Sequence, residues 1–282
     1  MSFDPTCVGR TTEPFVHEYT WRDVALYALS LGAGTQDLSY VLDDPLPVVL
    51  PTYAVVPAFA PVQELLRSTG GDLVTLLHSG QRTELLGSIP PQGRALTTGR
   101  IAGAWDMKIG ALVSIDTETL IDGVLVARTT WQLLLRGEGG FGGERPPRLL
   151  RVKPPEGASP AFRVEVPTSE SQALLYRLSG DLNPIHSHPE VAQRAGFERP
   201  ILHGLCSYGI AARVALKAMA HGDLARWRSF EARFNKVVLP GQNLIVQGYP
   251  LEEEGQLAVT VTISGTSELA IAHALLELRP GQ

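Results

Sequence analysis

Between Ser179 and Gly204 the chain concentrates the side chains best suited to moving protons. Asp181, Asn183 and His186 fall in the stretch Ser-Gly-Asp-Leu-Asn-Pro-Ile-His (179–186), and His203 stands directly before Gly204. A carboxylate and an imidazole held together can bind a water, take one of its protons and return a proton to a neighbouring carbon. Gly204 opens a predicted helix, so its N–H is an unpaired donor at the positive end of the helix dipole. A glycine there lets a ligand carbonyl approach closely, as an oxyanion hole requires. One segment thus supplies a carboxylate, an imidazole, an amide and a preorganised donor. That set suits adding or removing water beside a thioester carbonyl, whose oxygen gains negative charge as an enolate forms.

Plainer readings of the same residues exist. Asp181 in a Ser-Gly-Asp-x-Asn sequence can simply close an Asx turn. His188, followed by Pro189, reads as an exposed helix-start residue, and His203 as a packing or hydrogen-bonding residue beside the next helix. His186 and His188 could begin a metal site, but no cysteine, glutamate or third histidine nearby has zinc-ligand spacing, so no metal is expected.

Several elements must position this loop. Ser169 and Gln172 form a capping signature for a helix that Ser179-Gly180 ends. Pro189 suits the first position of a short helix that Gly196 closes, and Pro200 breaks the chain again. A helix is predicted from Leu205 to about Ala220. Its small residues (Ser207, Gly209, Ala211, Ala212, Ala215 and Ala218) imply burial, with Cys206, Ile210 and Val214 as a packed stripe. The first half has matching grammar. Thr20 and Asp23 resemble a capping box; Val24, Tyr27, Ala28 and Leu31 keep helical spacing; Gly32 is a natural stop. Tyr-x-Leu-Ser occurs at 27–30 and again at 176–179, and each half ends in alternating strands, with turns at Asp122-Gly123 and Ser264-Gly265. A glycine- and proline-rich break, GEGGFGGERPPR (137–148), separates the halves. We read an α+β protein built by duplication, with units at 1–136 and 151–282 joined by a linker at 137–150. Only the second unit kept the polar constellation, which predicts one active site per chain.

Composition bounds the partners. With 282 residues and a formal net charge of −5, the chain lacks the basic surplus that attracts nucleic acid or an anionic membrane. Cys7 and Cys206 cannot make a disulfide framework and are expected as free thiols. No stretch approaches the ~20 apolar residues of a membrane span. The amino terminus has no signal-peptide pattern and the carboxyl terminus no peroxisomal tripeptide. A soluble, cytoplasmic protein is expected.

Ser179 to His186, followed by Ile-Leu-His-Gly at 201–204, resembles the signature of the MaoC-like, R-specific enoyl-CoA hydratases (hydratase 2). The likeness covers nearly the whole chain. WRDVALYALSLGAG, LPTYAVVP, LLHSGQRTEL and the glycine-rich linker resemble the non-catalytic half of double hot-dog members, and FNKVVLPG (234–241) the strand after the central helix. The resemblance implies a double hot-dog: two antiparallel sheets, each wrapping a long helix, pairing into one continuous sheet. It implies Asp181 and His186 as a catalytic dyad, Asn183 orienting them or the water, and Gly204 N–H in the oxyanion hole. It implies a trans-2-enoyl-CoA substrate and a (3R)-3-hydroxyacyl-CoA product. Coenzyme A enters as part of the substrate, with no other cofactor, and a homodimer is the family expectation. One departure is His78-Ser79-Gly80-Gln81, where the family often has an acidic residue after His-Gly; it bears on acyl-chain preference. A first half without catalytic groups could widen to hold a bulky acyl tail. Lys217, Arg233 and Lys236 are candidates for contacts to coenzyme A phosphates. The alternatives are a hot-dog thioesterase and a non-catalytic acyl-CoA-binding or partner subunit.

Overall fold

The computed structural model describes residues 2–73, 76–147 and 151–281. The first half runs β1 (Phe15–Tyr19), α1 (Trp21–Ser30), α2 (Val55–Ser68), β2 (Leu76–Leu85), β3 (Gly93–Asp106), β4 (Gly110–Ile121) and β5 (Val124–Arg136). The second runs β6 (Phe162–Val166), α3 (Gln172–Tyr176), α4 (Pro189–Arg194), α5 (Gly204–Ala220), β7 (Trp227–Phe234), β8 (Leu244–Pro250), β9 (Gln256–Ile263) and β10 (Leu269–Leu278). All ten strands form one antiparallel sheet in the order β1-β3-β4-β5-β2-β7-β10-β9-β8-β6. Read outward from the β2–β7 seam, each half presents its strands in the same sequence. This is the α+β, continuous-sheet hot-dog architecture expected above.

Local chemistry explains the element ends. At the start of α1 the Asp23 carboxylate accepts from both the N–H and the hydroxyl of Thr20, each at 2.7 Å. Gly32, at φ 78°, takes the left-handed conformation that stops the helix. In the second half Ser169 N–H donates to Gln172 Oε1 at 3.1 Å. That contact closes a turn before the helix rather than capping it, since the N-cap of α3 is Ser171, two residues later. The helix is only five residues long and runs into a 3-10 turn, Arg177–Ser179, that Gly180 ends at φ 118°. Asp122-Gly123 makes the tight β4–β5 turn, with both φ values positive. The β9–β10 connection at Ser264-Gly265 is longer than that turn, because residues 264–268 all lie outside the strands.

The two central helices are α2 and α5. Nearly every residue of α5 is buried, so it has no single apolar stripe but is apolar all round. Its small residues permit close approach: a Cβ on Gly209 would fall 2.6 Å from the Leu31 side chain of the first half. The helix α2, with 14 residues against 17 in α5, fills the equivalent place in the first half and packs on β3 and β4.

Side chains of the second half finish the carboxyl end of α1. Gln172 Nε2 donates to Ser30 O at 2.6 Å and Arg213 Nε to Leu31 O at 3.2 Å, satisfying carbonyls that the helix cannot. The Arg213 guanidinium also meets Asp37 at 2.9 Å, with both side chains under a tenth exposed. Lys217 reaches the other Asp37 oxygen at 2.6 Å but is half-exposed. Removing one partner of a buried ion pair leaves an uncompensated charge, whereas an exposed partner contributes little. We expect Asp37→Ala to lower unfolding stability by about 3–5 kcal/mol. Lys217→Ala should cost no more than ~1 kcal/mol. Chemical denaturation of the two variants checks the contrast.

Candidate active site

The loop after α3 is held by its own polar side chains. Asp181 Oδ1 accepts from Asn183 N–H at 3.2 Å, and Asn183 Oδ1 accepts from Ile185 N–H at 3.1 Å, which starts the 3-10 turn Pro184–His186. The Asx turn is thus present, and it engages neither the second Asp181 oxygen nor the Asn183 amide nitrogen. No lysine or arginine among the described residues pairs with Asp181. His186 Nδ1 lies 2.9 Å from Ile201 O. A carbonyl can only accept, so Nδ1 carries the proton and Nε2 keeps its lone pair. The same reasoning applies to His203, whose Nε2 donates to Asp181 O at 3.2 Å. The two imidazoles stack, with ring centroids 3.7 Å apart. His188 is exposed and pairs with Ser187, away from the others, as a helix-start residue should.

Gly204 begins α5, so its N–H has no acceptor within the helix. Space is tight here as well: an added Cβ would sit 3.3 Å from the Phe234 ring. Asp181, Asn183, His186 and Gly204 all line one cavity of about 740 Å³. Its remaining wall is largely apolar and comes from both halves: Phe59, Val62 and Leu66 on α2, Trp131 and Leu133 on β5, and Phe234 on β7.

His78 also lines this cavity. Its ring stacks on Trp131 at 5.1 Å and meets Phe234 edge-on at 5.0 Å. It lies on the seam strand β2, where a register shift between His78 and Gly80 interrupts the pairing with β5. The sequence separates His78 from Asp181 by about a hundred residues and Trp131 by about fifty. The family resemblance singled out His78 only as a departure bearing on acyl-chain preference, and no local pattern marks Trp131. Their alternation on strands became informative only once β2 was placed beside β7.

Burial governs the imidazoles. Desolvation lowers His186 below its usual 6.5, against the opposing pull of the Asp181 carboxylate. His203, 1 % exposed, is driven well below by burial and then by His186. Burial takes His78 down to about 4, again opposed by Asp181. All three are neutral near pH 7.

Asp181, His186 and His203 place ligand-type atoms within 4.8 Å of one another, a convergence their spacing in the sequence hides. A metal ion needs lone pairs aimed at one point. Imidazole lone pairs lie in the ring plane, and these rings stack face to face with their planes 27° apart. Among the basic candidates, Lys217 is spent on Asp37 and on Gln36 O, and Lys236 pairs with Glu268 at 3.0 Å. Arg233 makes no ion pair among the described residues and lines a second cavity with Arg151 and His273.

Comparison with known proteins places this geometry. Residues 17–137 match the MFE-2 hydratase 2 N-terminal domain and residues 151–270 the MaoC like domain. The 3-hydroxyacyl-thioester dehydratase Y of Mycobacterium tuberculosis is 42% identical over 86% of this chain and 86% of its own. The enoyl-CoA hydratase ChsH3 of the same organism is 37% identical over 97% of each chain. The crystal structure of a MaoC-like dehydratase from Phytophthora capsici superposes with a TM-score of 0.87 at 27% identity, covering 99% of this chain and 98% of that one. Identity of this degree, sustained across both halves and joined to the shared double hot-dog, makes the chain a member of the MaoC-like hydratase 2 family.

Proposed function

We propose that the protein hydrates trans-2-enoyl-CoA thioesters to (3R)-3-hydroxyacyl-CoA, and catalyses the reverse dehydration. The observation that carries this reading is the meeting of Asp181, His186 and the Gly204 N–H at one end of an apolar cavity. Water sits between the Asp181 carboxylate and His186 Nε2, the ring atom that Ile201 O leaves unprotonated. The pair takes one proton as the oxygen bonds to C3. The C2–C3 π electrons move toward the thioester carbonyl, and the Gly204 N–H stabilises the charge on its oxygen. The enolate then collapses and C2 takes up a proton from the dyad, so the elements of water are added with no other reagent. Asn183, with its amide nitrogen uncommitted, orients the water. The acyl chain runs along Phe59, Val62, Leu66 and Trp131. Arg233 and Arg151 are the assigned contacts for the coenzyme A phosphates. No metal or redox cofactor takes part in this scheme. A homodimer and a cytoplasmic location belong to the same proposal.

Three outcomes test it. Loss of enoyl-thioester ultraviolet absorbance, followed with crotonyl-CoA and longer enoyl-CoAs, should proceed rapidly and yield the (3R) alcohol. Asp181→Asn and His186→Ala should each lower kcat by roughly 10²–10⁴-fold, the usual contribution of a positioned acid or base. No turnover on any chain length, with acyl-CoA still bound, would point instead to a binding or partner subunit; release of free thiol would point to a thioesterase.

The pH dependence follows from burial. Because His186 titrates below 6.5, the activity should hold through neutrality and fall only as pH drops beneath that value. Stability has the same sign. His78, His186 and His203 resist protonation when folded, so below 6.5 the unfolded chain binds more protons and is favoured. The stability present above 6.5 is lost as pH falls toward the folded values. For His78, which titrates at about 4, the loss reaches up to roughly 3 kcal/mol, at ~1.4 kcal/mol per unit. Urea unfolding at pH 7.5, 5.5 and 4.5 measures this slope.

A further inference from the structure

His203 does not touch the space where the reaction is placed by the scheme above, yet it touches both members of the dyad. Its Nε2–H donates to the backbone carbonyl of Asp181 at 3.2 Å, and its ring lies against the His186 ring at 3.7 Å. On its other side it meets Tyr176 at 4.9 Å, and Tyr176 is itself fully buried. The imidazole is therefore wedged between a core aromatic and the loop.

The wedge carries a cost that packing alone does not require. His203 is 1 % exposed, and its Nδ1 has no hydrogen-bond partner among the described residues. A buried ring nitrogen left unpaired is unfavourable, and a phenyl ring would fill the same volume without it. What a phenyl ring cannot supply is the N–H that holds Asp181 O. Groups kept against their own stability cost concentrate where geometry matters to function.

We propose that His203 is the positioning residue of this site. One imidazole fixes the Asp181 backbone by a hydrogen bond and the His186 ring plane by stacking, so the carboxylate and Nε2 are held in register. His186 is then fixed from two directions: its Nδ1–H by Ile201 O, and its ring face by His203. His203 exchanges no proton with the substrate. The inference rests on the dyad proposed above and adds a residue that acts through it.

The two contacts can be removed separately. His203→Phe keeps a ring against His186 but loses the donor; His203→Gln keeps an N–H but loses the stack; His203→Ala loses both. Misplacing a reacting group by about 1 Å costs on the order of 10²-fold in rate. We expect kcat to fall about 10²-fold in the Ala variant and about tenfold in Phe and Gln, with KM within about threefold of the parent throughout. The Phe variant should keep a Tm near the parent's, because its phenyl ring carries no unpaired nitrogen. Long-range ¹H–¹⁵N imidazole spectra should show His186 held as the Nδ1–H tautomer in the parent and mixed in the Ala variant. Should the Ala variant fail to fold, Phe and Gln carry the test. Folded variants that keep kcat within twofold, or that change KM alone, would overturn the inference. Asp181→Asn assayed alongside separates the failures. If it too retains full activity, the dyad itself is wrong; if it is inactive while the His203 variants are not, only the positioning role is lost.

Discussion

The structure depends on the antiparallel pairing of β2 with β7, in register from Gly80 opposite Arg233 to Glu84 opposite Ser229. Each half alone would expose this strand as a sheet edge, with a row of unpaired backbone donors and acceptors. Paired, they make one ten-stranded sheet and leave only β1 and β6 as edges. The same pairing sets the site. It brings His78 against Phe234, while Phe234 packs against the glycine that opens α5. The start of α5 in the second half is therefore packed against a ring that also meets His78 of the first.

The two halves share strand order and helix placement but spend their loop carboxylates differently. After Tyr-x-Leu-Ser in the first half, Asp37 is buried between Arg213 and Lys217, and it locks α5 to the end of α1. After the same four-residue pattern in the second half, Asp181 meets no cation among the described residues. It faces instead a cavity, a neutral imidazole and its own backbone turn. A carboxylate paired with a buried guanidinium serves stability; one without a cation beside a lone-pair nitrogen is free to meet a ligand. The two halves share a frame and differ in the partners their loop carboxylates meet.

The site runs on neutral imidazoles, and backbone carbonyls make them so in a useful form. Ile201 O and Asp181 O each accept from one nitrogen of a histidine and so dictate which nitrogen keeps a lone pair. Burial completes the arrangement by disfavouring the charged forms. The enclosure that keeps His186 neutral at neutral pH also makes the fold sensitive to acid.

The sequence by itself determined the elements and the chemistry. The cap at Thr20, the stops at Gly32 and Gly180 and the small-residue run of α5 are local signals. They act through backbone geometry and short-range hydrogen bonds, so they read directly from neighbouring residue types. The loop bearing Asp181, Asn183, His186 and Gly204 was legible for the same reason, since its members lie within one segment. Tertiary structure alone decided the rest. His203 read as a packing residue, and nothing in its neighbours shows that its ring would stack on His186 while its nitrogen held Asp181. Trp131 looks like an ordinary strand residue, and His78 shows its place against Phe234 only when β2 pairs with β7. Lys217 looked available for phosphate until α5 was laid beside Asp37. These are contacts between residues far apart in the chain, fixed by sheet register and helix burial, and the free energy that selects them belongs to the packed whole.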